Sequence, residues 1–298
     1  MFEKGSRMAI SLEEVRRRIL IGLFSDDELM NVLVLKGGNA LAMIYNVGSR
    51  ASLDMDFSTQ AAFSDLDQTR ARIFDTLKRE FRSIGYVVFD EKFEIRPSRP
   101  FRDQPEWWGG YIVEFKLAEV ALYEELRHDI DALRRRAEEL GPHHRRKYTI
   151  EISHHEFCAG KVQREVDNYT IYVYSLEMIA AEKLRAICQQ MPEYELRRTT
   201  RAPRARDFYD IHQIVSEHGI DLTTEKNRSM LAAIFAAKKV PLNLLGEIHK
   251  YREYHRLDWP SVETSIFGAH GTFDSYFDFV VELASNLEAL RIEQAPLA

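Results

Sequence analysis

The stretch Val32 to Ser58, VLVLKGGNALAMIYNVGSRASLDMDFS, constrains the fold more than any other part of the chain. Val32 to Leu35 is an apolar run that suits a buried strand. Gly37-Gly38 follows at once, and then a short apolar segment of helical character, Ala40 to Tyr45. Strand, glycine pair and helix in that order put bare backbone N–H groups at a helix start, which suits phosphate. The stretch closes on Asp54-Met55-Asp56-Phe57. Residues two apart in an extended chain share a face, so Asp54 and Asp56 project together while Met55 and Phe57 point to the core. Two carboxylates held side by side repel unless a cation lies between them. A phosphate cradle followed by paired carboxylates implies phosphoryl or nucleotidyl transfer with Mg2+. Asp-x-Asp by itself is equally a charged strand end facing water. The glycine pair upstream favours the metal reading.

The remaining pattern is mixed. Ser11 reads as a helix cap, with Glu13 and Glu14 in the first turn and a stripe of Val15, Ile19, Leu20, Leu23 and Phe24 behind it. A helix is predicted from Ser64 or Asp65 to about Ser83. Strands are predicted over 85–89, extending into 93–96, and over 111–117, 147–153 and 169–174. A charged helix is expected over 121–140, stopped by Gly141-Pro142. Ser175 caps a helix running to about Gln190. Met191 to Arg206 carries two prolines and five arginines and reads as a linker. Beyond it only helices are expected, over 207–217, 226–238, 243–255 and 271–292. The fold class is therefore α/β: a mixed-sheet core over 1–175 and an α-helical C-terminal region over 176–298.

Composition bounds the function classes. The chain has 298 residues, 45% hydrophobic and 30% charged, enough to bury a sizeable core. No apolar run reaches the length of a bilayer span, and the N-terminus lacks the apolar core of a signal peptide. Cys158 and Cys188 form no redox or zinc pattern and fit reduced thiols, so a cytoplasmic location is expected. A net charge of −6 argues against a uniformly basic nucleic-acid binder but allows local basic patches.

Further candidates follow from position. Glu151 in YTIEIS and Glu114 in YIVEF both alternate with apolar residues, and each is a possible third carboxylate or a solvent-facing strand residue. Lys36 is a possible phosphate partner or a solvated lysine. In SLEMIAAEKLRAI the apolar stripe is Leu176, Ile179, Ala180, Leu184 and Ile187, and Lys183 falls on its inward face. An inward lysine needs a carboxylate, a phosphate or a snorkelling path to solvent. Glu182 and Arg185 fall on the outer faces and are expected to be solvated. Asp207 and Asp210 share a helix face, and Asp207 lies on the stripe of Ile211 and Ile214. A Lys183–Asp207 ion pair is therefore expected, with a simple helix-terminus charge as the alternative. The pairs His143-His144 and His154-His155 lack companion ligands at metal spacing and read as surface residues. Arg134 to Arg136 reads as a solvated helix face. Arg145 to Lys147 could track an RNA backbone, and the arginines of 197–206 are the better candidate. Trp107-Trp108 suits base stacking or core packing.

These motifs resemble the minimal nucleotidyltransferase superfamily, with its Gly-[Gly/Ser] turn and Asp-x-Asp pair. More closely, LKGGNALAMIY, SRASLDMDFS, EKLRAI and RARDFYDI are similar to the AbiEii/AbiGii toxin family of nucleotidyltransferases, over about Val32 to Ile211. The resemblance implies that Asp54, Asp56 and Glu151 hold Mg2+ (or Mn2+), its strand pattern favouring Glu151 over Glu114. It implies that Gly37, Gly38 and Asn39 cradle the triphosphate of an NTP, although Asn39 stands where the family carries Ser or Thr. It matches Arg50 and Ser52 to residues that orient the loop before Asp54, gives Lys183 a contact with nucleotide phosphate, and gives Asp207 an active-site role. It further implies a toxin of a toxin–antitoxin or phage-defence operon, linked to a cognate antitoxin, acting on RNA and most simply on tRNA. Nucleotidylation of a protein or small molecule, or a non-catalytic nucleotide- or RNA-binding regulator, are the alternatives.

Overall fold

A computed structural model describes residues 10–47, 54–98, 107–139, 145–196, 200–266 and 268–293. Arg50 and Ser52, His143-His144, the Gly141-Pro142 stop and Arg197-Arg198 lie outside the described residues.

The chain opens with two capped helices, α1 (Leu12–Phe24) and α2 (Asp27–Val32). The Ser11 side chain accepts the Glu14 N–H, and Asp26 accepts those of Glu28 and Leu29. The expected strand from Val32 is corrected by this second cap. Asp26 starts a helical turn that runs through Val32, and the backbone becomes extended only at Leu33, φ −83° and ψ 140°. Strand β1 is thus Val34–Lys36, and α3 spans Gly37–Ile44. There follow β2 (Met55–Ser58), α4 (Leu66–Ser83), β3 (Tyr86–Arg96) and β4 (Gly110–Glu119). The single charged helix expected over 121–140 is instead α5 (Val120–Leu126) and α6 (Ile130–Arg136). Asp129 accepts the Ala132 N–H and so restarts the helix.

Strands β5 (Tyr148–Ser153), β6 (Lys161–Val166) and β7 (Tyr169–Tyr174) come next. Strand β6 was not expected, because KVQREV is polar and mostly solvent-facing. Its signal lies in the turn: Asp167 and Asn168 both take positive φ, 52° and 66°, the two-residue geometry that matches the twist of a hairpin. The C-terminal part is helical: α7 (Leu176–Cys188), α8 (Ala205–His218), α9 (Glu225–Ala237), a 3₁₀ helix (Leu242–Tyr251), α10 (Arg252–Arg256), α11 (Trp259–Glu263) and α12 (Phe273–Glu293). The helix expected over 243–255 is therefore a 3₁₀ helix leading into α10. Gly246, a poor α-helix former, sits in it, and a Cβ there would collide with the Glu288 carboxylate of α12.

Seven strands form one sheet in the order β3-β4-β5-β2-β1-β7-β6. Strand β2 pairs with β5 in parallel, whereas β3–β4 and β4–β5 are antiparallel, so the sheet is mixed and the fold α/β as expected. The chain divides into two compact units. The first comprises residues 1–35, 52–154 and 163–172, and the second residues 36–51, 155–162 and 173–298.

In the first unit α4 packs on α1 and on β3. Its aromatic core joins Phe81 to Phe115 and Phe115 to Tyr148, with ring centroids 5.8 Å apart in both pairs. Met55 and Phe57 are fully buried, and Asp56 between them reaches the surface. In the second unit α7 packs against α8, α9 and the 3₁₀ helix, while α12 covers α8. Phe208 sits 5.7 Å from Phe273 and 5.0 Å from Phe277. Among the described residues no single helix is long and apolar enough to cross a membrane. The alternation on β2 predicts a contrast measurable by urea unfolding. Phe57→Ala should cost about 3–5 kcal/mol, whereas Asp56→Asn should stay within about 1 kcal/mol.

Candidate functional site

The carboxylates of the first unit are placed by strand pairing. Parallel register sets Asp56 opposite Glu151, flanked by Met55 opposite Ile150 and Phe57 opposite Ile152. Paired residues project from the same face, so the burial of the apolar partners turns both acids outward together. Glu114 pairs with Thr149, one strand farther and two residues along. It is engaged by Lys147 at 2.6 Å and by Lys92 at 3.9 Å. Register thus brings Glu151, and not Glu114, beside Asp56. Asp54, just before β2, meets the Arg145 guanidinium at 2.7 Å from its Oδ1, an ion pair without hydrogen-bond alignment. Carboxylate oxygens are the side-chain ligands Mg2+ takes, one or two at a time with several waters kept. Among the described residues no group of three or more His, Cys, Asp or Glu is gathered as a metal-ligand set.

The glycine turn belongs to the second unit. Gly37 has φ +70°, a left-handed conformation that a side chain resists, so glycine is required there. Lys36 stands at the cap position of α3 with no side-chain cap hydrogen bond. Asn39 is 0% exposed. Lys36 is not the solvated lysine allowed by the sequence. It is 9% exposed, and its Nζ donates to Glu182 Oε1 at 2.8 Å and lies 3.7 Å from Glu156 Oε1. Burial works against its charge, but the two glutamates outweigh burial and shift its pKa upward.

Glu182 and Arg185 belong to the same buried cluster, which corrects their assignment to solvent. The Arg185 guanidinium, in a residue 5% exposed, lies 3.1 Å from Glu182 and 3.4 Å from Glu156, and Lys238 Nζ lies 3.3 Å from Glu156. The physical reason is that α7 packs against α8, α9 and the 3₁₀ helix, so these positions face protein more than water. Glu156 meets three cations. Burial raises its pKa, Arg185, Lys36 and Lys238 outweigh burial, and the result is about 2. Sequence reading did not single out Glu156 because no periodic pattern surrounds it.

Lys183 is half-buried and ion-paired, and it faces inward as its place on the stripe predicts. Its Nζ donates to Asp207 Oδ1 at 2.8 Å and to Asp210 Oδ2 at 2.7 Å. Arg204 donates to Asp207, and Arg206 donates to Asp210 Oδ1 at 3.0 Å and to Ser265 Oγ at 2.8 Å. Burial raises the Asp207 pKa, but Arg204 and Lys183 bring it down to about 2. His255 is fully buried, and its Nδ1 accepts the Arg204 N–H at 3.1 Å, which places its proton on Nε2. Burial holds its pKa down to about 4.

Two arginines of the expected RNA-docking run are therefore engaged by aspartates. The described part of the expected linker is also tied down. Met191 and Tyr194 are buried, the Tyr194 hydroxyl donates to the Lys238 carbonyl at 2.7 Å, and the Ala202 N–H donates to Gln190 Oε1 at 2.9 Å. His154 is not a surface residue: it is buried, its ring 5.6 Å from that of Tyr111. Trp107 and Trp108 are half-buried. Cys158 and Cys188 are buried free thiols.

Residues 18–280 match the family described as nucleotidyl transferase AbiEii toxin, type IV TA system. The chain belongs to this family of nucleotidyltransferases of type IV toxin–antitoxin systems. No curated protein matches it. Among solved structures it is similar to a putative nucleotidyltransferase from H. pylori, at 15% identity and TM-score 0.49, covering 97% of this chain and 99% of that one. It is also similar to JHP933 from Helicobacter pylori, at 16% identity and TM-score 0.49 over 94% and 92%. An antigenic nucleotidyltransferase-like protein from Paracoccidioides brasiliensis aligns at 13% identity and TM-score 0.37, over 78% of this chain and 95% of that one.

Both charge clusters make stability pH-dependent. Glu156 and Asp207 sit at about 2, below the values of about 4 in an unfolded chain, so their contribution is complete above about pH 5 and is lost as pH falls through about 2. His255 sits at about 4 against about 6.5 when unfolded. The unfolded chain takes up that proton first, and stability falls as pH drops from about 6.5 to about 4. Urea midpoints measured across this range should decline, and His255→Gln should flatten the upper segment while sparing the steeper loss below. Lys183→Ala strips a cation from two buried aspartates and should cost about 3–5 kcal/mol in the same assay.

Proposed function

We propose that the protein transfers a nucleoside monophosphate from an NTP to a hydroxyl of an RNA acceptor, most simply a tRNA, releasing pyrophosphate. The observation that carries this reading is the in-register pairing of Asp56 with Glu151, next to Asp54, in a chain of the AbiEii family. Asp54, Asp56 and Glu151 are the residues that would hold Mg2+, with Mn2+ able to replace it. Bound there, the ion would supply charge neutralisation for the phosphates and would acidify the acceptor hydroxyl.

The chain's own groups do the rest. Gly37, left-handed, and Gly38 after it offer backbone N–H donors at the start of α3. Asn39 and Lys36 flank that turn, with Lys36 held by its glutamates. Lys183 has three donors, two of them used by Asp207 and Asp210, so the third serves a phosphate oxygen. Asp207 and Asp210 position that ammonium and keep it charged. In the cell the activity is that of a cytoplasmic toxin restrained by a cognate antitoxin, in the setting of phage defence.

The test is direct. The purified protein is incubated with each α-labelled NTP and Mg2+, together with total tRNA or total protein. Label should enter the tRNA pool with one NTP, should disappear in Asp56→Asn, and should be lost on chelation and regained with Mg2+. Label in the protein pool would overturn the RNA assignment. Label in neither pool, with Asp56→Asn binding NTP as the wild type does, would overturn the enzymatic reading altogether.

A further inference from the structure

We propose that the outer edge of strand β3, between α4 and the α5–α6 pair, is a docking groove for an extended acidic segment of a partner protein, which adds a further strand to the sheet. Strand β3 is the terminal strand of the sheet, separated from β5 and β2 by β4. The proposal therefore does not depend on the transfer reaction. A cavity of about 490 Å³ lies at this edge, lined by residues 86–91 of β3, by Lys78 and Arg82 of α4, and by Tyr123, Arg127 and Ile130 of the α5–α6 segment.

The floor of this groove is a strand edge. In an antiparallel pair, residues that exchange backbone bonds with the partner alternate with residues that face away from it. The Val120 N–H donates to the Gly85 carbonyl at 3.1 Å, in line with the register that sets Val87 opposite Ala118. Counting from Gly85, Val87 and Phe89 bond towards β4, and Val88 directs its N–H and C=O outward. The walls stand on opposite faces of the sheet. Val88 lies opposite Leu117, on the face where Phe115 meets Phe81 of α4. Phe89 packs on the other face, against Leu133 and Tyr123. A strand laid along β3 would thus be sandwiched between α4 and α5–α6. The register shifts between Phe89 and Lys92, where Asp90 takes φ +55°, and this bulge ends the straight edge. Residues 86–89 remain, about 13 Å of strand at about 3.3 Å per residue.

Charge selects the occupant. Lys78, Arg82 and Arg127 rim the groove of a chain whose net charge is −6. The acids beside them are already matched: Glu91 with Lys78 at 2.8 Å, and Asp90 with Lys116 at 3.1 Å and with Arg134. Arg82 is exposed and, among the described residues, has no ion pair. Arg127 has only Glu124, 3.4 Å away and one turn back, and a pair this open to water is weak. Two guanidinium groups are thus available to acidic side chains, while the outward backbone of Val88 is available to a main chain. A second copy paired edge to edge would bring the same cations against one another, which is unfavourable. An RNA backbone would answer the cations but has no alternating amide groups to answer β3.

The experiment follows fluorescence anisotropy as the full-length protein is titrated into a labelled peptide of about eight residues, alternating valine and glutamate. The comparison probes are the same peptide fully N-methylated, its lysine-for-glutamate counterpart, and a single-stranded oligouridylate. The acidic peptide should bind with Kd below about 1 mM, and N-methylation or the lysine exchange should weaken binding about tenfold or more. The double variant Arg82→Glu, Arg127→Glu changes two exposed side chains. It should lose about tenfold in affinity for the acidic peptide and bind the lysine peptide more tightly than the wild type does. Amide hydrogen exchange over 86–89 should slow when the acidic peptide is bound. No saturation by the acidic peptide up to about 1 mM, equal binding of its N-methylated form, or affinity unchanged in the double variant would each overturn the proposal. Oligouridylate binding that the double variant loses, with no peptide binding, would assign the rim to RNA and overturn it. A dimer in sedimentation that the acidic peptide dissociates would put a second copy in the groove and overturn it too.

Discussion

The penalty for slipping β2 by one residue governs the acidic face of this protein. A slip would bury Asp56 and expose Met55 and Phe57, reversing every side chain of the strand. Because those two apolar residues are fully buried, the outward direction of the acids follows from the core and not from any interaction the acids make. The same register constraint passes to β5, where Ile150 and Ile152 are buried and Glu151 is exposed. Hydrophobic burial on one face thus positions charge on the other, and the carboxylates need no rigidity of their own.

The second unit follows a different rule. Two clusters of buried and half-buried charges are matched within the unit: Lys36, Arg185 and Lys238 with Glu156 and Glu182, and Lys183, Arg204 and Arg206 with Asp207 and Asp210. Such networks contribute little net stability over an apolar core, because desolvation offsets most of the attraction, but removing one member is costly. They fix the directions of side chains instead. Lys183 between two aspartates is an ammonium with a set orientation and a charge that burial cannot remove.

Much of this was legible in the sequence, and the failures share a cause. The caps Ser11, Asp65 and Ser175, the outward acids of β2 and the inward Lys183–Asp207 pair all depend on local spacing, and local spacing is what a sequence displays. Glu156 depends on partners far away in the chain, and no periodicity points to it. Glu182 and Arg185 were misplaced because a helical wheel assumes one wet face, whereas α7 has packed neighbours on several sides. Asp26 hid a helix start inside what looked like the approach to a strand. Strand β6 hid behind a polar surface, with only Asp167-Asn168 to mark the hairpin.

The two units are not consecutive in the chain. It passes between them at 35–36, 51–52, 154–155, 162–163 and 172–173. Lys36 therefore emerges from the ribosome long before Glu156, Glu182, Arg185 and Lys238, the residues that complete its cluster. Until Lys238 is synthesised, Glu156 lacks one of the three cations that surround it. The buried setting of Lys36 is thus complete only when residues some two hundred positions downstream are in place.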